Sequence, residues 1–305
     1  MQGVTNRRLL FVHAHPDDES SQSAGSIAKY ASEGAQVTLV TCTLGERGEI
    51  LVPEWEHYSP EELGKKRIAE LQAAMAHMGL TDHEFLGGAG AYHDTGMAID
   101  DEGHVIAPPD APDGAFWNAD LLEAANHLVK IIRSRRPQVL VTYNPFGGYG
   151  HPDHIQAHRV AMYAMTLAAA PSHAPELGEA WQVQRALWGA YNTIAWRKAI
   201  PLIRERGMIP ESFEEQFSAR EQRMLKASDD HIAAVVPLTG FADICRNALG
   251  EHKSQVNITD PFWQIHGFVQ TIDGAGEAYE FGCGVPFPDG DGPSADLFAG
   301  LDLAE

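Results

Sequence analysis

Two short segments of this 305-residue chain hold residue types able to bind a metal and move protons: His15-Pro16-Asp17-Asp18 and His151-Pro152-Asp153-His154. In each, positions i and i+3 fall on one side of a tight turn or a first helical turn. His15 can therefore converge with Asp18, and His151 can share a side with His154. Histidine and aspartate donors from separate loops, with no cysteine thiolate, suit Zn²⁺ bound by three protein ligands with one position open. Fe²⁺ or another divalent ion uses similar donors, so residue types leave the metal open. The surplus residues, Asp17 and His151, are then available as general base and general acid. Asp153 is placed to hydrogen-bond the His151 ring and set its orientation. A single His-Pro-Asp is an ordinary loop and cap combination. Two copies, each after an apolar strand and each extended by a carboxylate or an imidazole, point to one metal site.

The elements that must position these loops are legible as well. Leu9-Leu10-Phe11-Val12 reads as a buried strand, residues 23–33 as a helix ended by Gly34, and residues 36–43 as the next strand. That is the length of a right-handed βαβ unit. Ile68, Leu71, Met75 and Met78 recur at helical spacing before Gly79, and Leu121, Ala125, Leu128 and Ile132 mark a helix stopped by Pro137. Between them, residues 87–115 are irregular, a length more often functional than idle. Residues 138–143 form a strand, and a helix follows the second loop to about residue 170. Beyond residue 175 the signals weaken to a strand near 187–193, helices near 196–206 and 240–252, and a Gly/Pro/Asp-rich tail.

The fold class expected is α/β: a Rossmann-like, mostly parallel sheet with helices on both faces and a smaller C-terminal region. Residues 1–175 would form the metal-dependent catalytic core, and residues 176–305 would pack on it and wall the substrate crevice. In such sheets ligands bind beyond the carboxyl ends of the strands, where both loops lie.

Composition narrows the function classes. Lys and Arg number 22 against 42 Asp and Glu, a formal net charge of −20. A chain this acidic lacks the clustered cations that nucleic acid or an anionic membrane surface requires. Three widely spaced cysteines, Cys42, Cys245 and Cys283, form neither a disulfide framework nor a CxxC clamp, which fits a reducing compartment. The first apolar run is only four residues, too short for a signal or a span. The expectation is a soluble, cytoplasmic protein acting on a small molecule; oligomeric state is not legible.

The segments AHPDDES, TLGERGE (residues 43–49) and GHPDH resemble the LmbE/PIG-L zinc de-N-acetylases. VTCTLGE, LGGAG followed by HDTGM, and GGYGHPDH are most similar to the mycothiol-pathway branch that deacetylates N-acetylglucosaminyl-inositol. The similarity is dense over residues 9–159 and thin after 175, apart from His252-Lys253-Ser254-Gln255 and DLFAGL (residues 296–301). The resemblance implies that His15, Asp18 and His154 bind zinc and that Asp17 activates water. It further implies that His151, supported by Asp153, protonates the leaving amine or steadies the oxyanion, and that Tyr149 polarises the amide carbonyl. Arg67 and Asp94 match positions expected to hold a polyhydroxylated substrate. Glu46, at the carboxyl edge, is a candidate for substrate contact or loop capping, and Met97 a residue that could line the sugar site.

Each of these has a plainer reading. Arg67 lies on an amphipathic helix, where a solvated charge is the ordinary case; Asp94 could be a turn former, and Met97 packing. His13 reads as a satisfied core histidine. His158 takes no ligand role, because the other loop fills the site. Within the family, an amidase cleaving mycothiol S-conjugates uses the same chemistry. A carbohydrate-binding or regulatory module with a structural metal has no use for Asp17 and His151, and a nucleotide-binding oxidoreductase would need the G-x-G-x-x-G turn that is missing after the first strand.

Overall fold

The computed structural model describes residues 5–303. Nine strands are present among them: β1 (Arg8–His13), β2 (Gln36–Thr41), β3 (Asp82–Phe85), β4 (Ala98–Ile99), β5 (Val105–Ile106), β6 (Val139–Thr142), β7 (Arg185–Ala190), β8 (Ile232–Pro237) and β9 (Gly276–Gly284). The helices are α1 (Asp18–Gln22), α2 (Ala24–Ser32), α3 (Pro60–Met78), α4 (Leu121–Arg135), α5 (Pro152–Ala168), α6 (Thr193–Glu205), α7 (Glu214–Lys226), α8 (Ala242–Glu251) and α9 (Pro261–Val269). Seven strands make one sheet in the order β3-β2-β1-β6-β7-β9-β8, while β4 and β5 form a separate small ladder inside the irregular stretch. The expected α/β class is the observed one. From β3 to β7 every pairing is parallel, and β9 then runs antiparallel to both β7 and β8.

Alternation along β1 explains the layers. Successive side chains of a strand point to opposite faces. Leu9 and Phe11 accordingly join Ile27, Leu71 and Ala248 in one core, whereas Leu10 and Val12 join Leu128 and Val160 in the other. Fully burying one such side chain stabilises the fold by roughly 1.5–3 kcal/mol, so both faces of β1 are held firmly. A third cluster, with Trp196, Ile200, Phe217 and Ile265, sits among α6, α7 and α9.

The chain runs outward from β1 through β2 to β3, then returns to place β6 on the other side of β1. Strand order therefore reverses between β1 and β6, and a crevice opens beyond their carboxyl ends. Both His-Pro-Asp loops leave from these two strands. The third contributor is α3, a 19-residue helix with a full capping box at Ser59 and Glu62, Pro60 in its first turn and a left-handed Gly79 at its end. Its register carries Arg67 inward.

Several elements depart from the sequence expectation. The first loop runs straight into a separate five-residue helix, α1, before α2 begins. Strand β3 (DHEF) is polar because it is an edge strand whose Asp82 binds Arg135 and Thr38. The region beyond 175 contributes three strands to the main sheet rather than one, β7 ending at Ala190 and α6 beginning at Thr193.

Candidate metal centre

His15 ends the turn after β1, and its Nδ1 lies 3.3 Å from Asp18 Oδ2. The same carboxylate oxygen accepts the His15 backbone N–H at 2.9 Å, so the i, i+3 turn closes on itself. The other oxygen, Oδ1, is 3.3 Å from His154 Nε2 and accepts Gln22 Nε2 at 3.0 Å. Asp18 thus stands between the imidazoles of the two loops. His151 completes the group: its ring centroid is 4.7 Å from that of His15 and 5.0 Å from that of His154. Donor atoms of His15, His151 and His154 fall within 4.8 Å of one another, as do those of His15, Asp94, His151 and Asp153. All six residues are buried.

The electrostatics of this cluster fit a cation. Burial disfavours a charged imidazole, yet Asp94, Asp153 and Asp18 hold His15 well above its ordinary value. Against the burial that would raise it, Asp18 is kept well below its usual range by His154 and His15. Three carboxylates crowding an imidazole into the protonated form mark a place where positive charge is favoured. His154 Nε2 is buried without a hydrogen-bond partner, while its Nδ1 is 3.2 Å from the Gly147 carbonyl. A ring with one nitrogen fixed to a carbonyl and the other turned into the cluster, 3.3 Å from Asp18 Oδ1, is the arrangement expected of a metal-ligating histidine. The cluster can coordinate a divalent metal such as zinc.

Local sequence makes these positions possible. Gly147 has φ +66°, and a Cβ there would lie 2.9 Å from the Ile155 backbone nitrogen, so only glycine lets the loop approach α5 and bind His154. Tyr143, at the end of β6, stacks on His154 with centroids 4.1 Å apart and accepts the Ala14 N–H at 2.8 Å, tying the two strands' ends together. His13 is satisfied by Ser23 and Tyr143, and His158 binds the Tyr143 carbonyl; neither joins the cluster.

Asp17 turns away from Asp18, as its place in the motif requires. Its backbone is left-handed, φ 119°, a conformation that a residue with a side chain adopts only when its surroundings impose it. Burial, with Asp18 adding to it, raises its carboxyl to about 6 despite the opposing Arg67. Burial and the neighbouring His15 and His154 push His151 down to about 2, so its ring is neutral near pH 7. The His151 Nδ1 accepts the Asp153 N–H at 3.1 Å, which leaves Nε2 as the protonated nitrogen, a donor.

The substrate candidates are placed unequally. Asp153 does not give its carboxylate to His151: Oδ2 is 3.2 Å from His15 Nε2, and Thr95 donates to both oxygens through its hydroxyl and its N–H. The expected link to His151 runs through the Asp153 backbone instead, because that N–H is a free first-turn donor of α5. Arg67 is buried rather than solvated. It pairs with Asp17 at 3.1 Å and donates to the carbonyls of Gly45 (2.5 Å) and Pro16. Gly45, φ +64°, is required there, since a Cβ would overlap the guanidinium. Asp94 is 3.6 Å from His15 Nε2 and accepts the N–H groups of Arg47 and Gly96. Glu46 binds His93 and the Asp94 N–H through Oε1, while its buried Oε2 is unpartnered. Met97 and Tyr149 are more than half exposed, and the Tyr149 ring lies 5.1 Å from that of His154.

Thr95 and Tyr143 escaped the sequence reading. Thr95 sits in HDTGM without a charge to draw attention, and Tyr143 closes an apolar strand as an ordinary aromatic.

Comparison with known proteins agrees with this geometry. The profile of the GlcNAc-PI de-N-acetylase family (PIG-L) matches residues 10–165. A 1D-myo-inositol 2-acetamido-2-deoxy-alpha-D-glucopyranoside deacetylase of Kribbella flavida is 46% identical over 304 residues, spanning 99% of this chain and 100% of the relative. The protein of the same name from a Nocardioides species is 46% identical over 300 residues, covering 97% of this chain and 99% of its own. Among solved structures, an N,N'-diacetylchitobiose deacetylase from Pyrococcus horikoshii, complexed with its inhibitor, superposes with a TM-score of 0.59 at 19% identity, over 90% of this chain and 82% of that one. At that identity the likeness speaks for the fold.

Proposed function

Because the chain belongs to the GlcNAc-PI de-N-acetylase (PIG-L) family, we propose that it hydrolyses the N-acetyl amide of 1D-myo-inositol 2-acetamido-2-deoxy-alpha-D-glucopyranoside to the free amine and acetate. The observation that carries this reading is the Asp18 carboxylate standing 3.3 Å from both His15 and His154, with Asp17 next to it in the loop. Nearly full-length relatives bearing that substrate's name support the choice of sugar.

His15, Asp18 and His154 would hold the divalent cation, zinc by the donor set. When bound, it supplies a Lewis acid for the amide carbonyl and lowers the pKa of water. Asp17, whose proton affinity is raised, takes a proton as water oxygen bonds to the carbonyl carbon. His151 Nε2–H and the Tyr149 hydroxyl donate to the oxyanion of the tetrahedral intermediate. The carbon–nitrogen bond then breaks and the nitrogen receives the proton carried by Asp17, leaving amine and acetate. Arg67 keeps Asp17 in place, and Asp153 with Asp94 keeps the His15 ring in place. The exposed Met97 is the group offered to the sugar or inositol, while Glu46, its Oε2 buried, braces His93 and the Asp94 N–H.

The reaction is assigned to the cytoplasm, in keeping with free Cys42, Cys245 and Cys283; no helix among the described residues is long and apolar enough to cross a membrane. The test is amine release measured side by side on N-acetylglucosaminyl-inositol and on a mycothiol S-conjugate. Preference for the former is expected. A strong preference for the conjugate would transfer the assignment to the amidase chemistry.

A further inference from the structure

The segment His252-Lys253-Ser254-Gln255, which follows α8, is remote in sequence from both His-Pro-Asp loops but not in space. The Ser254 N–H and hydroxyl donate to the Glu70 carboxylate at 3.0 and 2.6 Å, on the same helix as Arg67. Gln255 Nε2 donates to the Glu49 carbonyl at 2.8 Å, and the Leu51 N–H to the Ser254 carbonyl at 2.9 Å. Four hydrogen bonds thus pin the segment against the catalytic side of the molecule.

His252 is fully buried there and faces Glu19, which is also fully buried. His252 Nε2 lies 2.8 Å from Glu19 Oε1, an oxygen that also accepts the Ser20 hydroxyl at 2.5 Å. The other oxygen, Oε2, accepts the backbone N–H of Asp17 at 3.0 Å. Burial would raise the Glu19 carboxyl and lower the His252 ring; each partner opposes this for the other, so that Glu19 lies below and His252 above its ordinary value. Burying two ions is costly unless both are hydrogen-bonded and opposed. As a mere first-turn carboxylate, Glu19 could lie exposed at the helix N-terminus and needs no histidine from the far end of the chain. What this carboxylate holds is the peptide of the one residue in its loop with a left-handed backbone.

We propose that Glu19, oriented by His252, is a positioning residue for Asp17: its carboxylate clamps the Asp17 N–H, keeps residue 17 left-handed and so holds the Asp17 side chain against Arg67 beside the metal cluster. The inference rests on Asp17 being the base. The C-terminal segment, through His252, thereby becomes part of what sets the catalytic rate.

The test compares wild type with Glu19→Ala, Glu19→Gln, His252→Phe and Asp17→Ala on N-acetylglucosaminyl-inositol, with metal content determined for each and hydrogen exchange followed at the Asp17 amide. Glu19→Ala should lower kcat by about 10–100-fold, the usual range for outer groups that orient a metal site. KM should stay within about twofold and metal content unchanged, while the Asp17 amide exchanges faster. Glu19→Gln, which keeps an acceptor for that N–H, should recover most of the rate, and His252→Phe should fall between. Should Glu19→Ala not fold, Glu19→Asp, too short to reach, carries the same expectation. The proposal is overturned by an unchanged kcat in Glu19→Ala, by unchanged exchange, or by Glu19→Gln performing no better than Glu19→Ala. If Asp17→Ala is inactive while the Glu19 and His252 variants behave as wild type, only this inference falls. An active Asp17→Ala removes the base assignment beneath it.

Discussion

Replacing Arg67 by methionine separates two roles that the residue type alone would not distinguish. A guanidinium that binds sugar hydroxyls would, when removed, raise KM and leave the fold largely intact. In the structure Arg67 is 2% exposed, pairs with Asp17 at 3.1 Å and satisfies the Gly45 and Pro16 carbonyls. Methionine approximates the length of the stem but leaves the buried Pro16 carbonyl and the Asp17 carboxylate without their donor, and the Gly45 carbonyl with only the Gly48 N–H. Breaking a buried pair by removing one partner costs about 3–5 kcal/mol, and Asp17 retains some exposure, so the lower end applies. For a chain of this size a loss of about 3 kcal/mol corresponds to a fall in Tm of several degrees. Asp17, released from its brace, also loses its aim. A displacement of about 1 Å in a reacting group can cost about 100-fold in rate. Arg67→Met should therefore reduce kcat by about 10–100-fold, change KM less than threefold by the same argument, and lower Tm. Arg67→Lys, which keeps the charge but loses the fork, should lie between. Steady-state kinetics on the metal-loaded protein and a thermal melt on the metal-free protein read both effects. A normal kcat with a large rise in KM and an unchanged Tm would refute the brace and restore the role of substrate anchor.

Gly147→Ala should destabilise the protein by about 1–3 kcal/mol, since a Cβ would meet the Ile155 backbone at 2.9 Å from a left-handed position. Because the Gly147 carbonyl fixes His154, zinc affinity measured by competition with a chelator should weaken with it. Asp82→Asn tests a site far from the chemistry. Arg135 and Thr38 hold the Asp82 carboxyl below its usual value against partial burial. Its contribution is therefore present above about pH 3.9 and is lost as pH falls through the lowered folded value. With both partners about one-third exposed, Asp82→Asn should cost no more than about 1 kcal/mol at pH 7. Melts recorded from pH 7 to pH 2.5 should show the gap to wild type closing at the acid end; a constant gap would contradict the linkage.

Sequence made the site legible because the chemistry is local to two loops. Strand, turn and i, i+3 spacing place His15 near Asp18 and His151 near His154, and the βαβ pattern places both loops at one edge. Spacing does not say which partner a side chain chooses across the crevice. Asp153 shares a helical turn with His151, yet its carboxylate meets His15 and Thr95, which come from distant parts of the chain. Arg67 looked solvated because periodicity marks Ile68 and Leu71 as the buried stripe; it is drawn in by carbonyls at Pro16 and Gly45 that no pattern announces. The unread strands have a similar cause. In β9, Gly276, Gly282 and Gly284 break up the apolar run, and its place between β7 and β8 is set by pairing with both neighbours rather than by its own composition.

The central claim is that one divalent cation, held by His15, Asp18 and His154, stands beside Asp17 and makes amide hydrolysis possible. It is tested most directly by stripping the protein with a chelator and following amine release from N-acetylglucosaminyl-inositol as zinc is returned. The account predicts no turnover in the stripped protein, recovery that is complete at about one equivalent, and no recovery in Asp17→Ala although it takes up the same equivalent. Full turnover by the stripped protein, or recovery in Asp17→Ala, would contradict it.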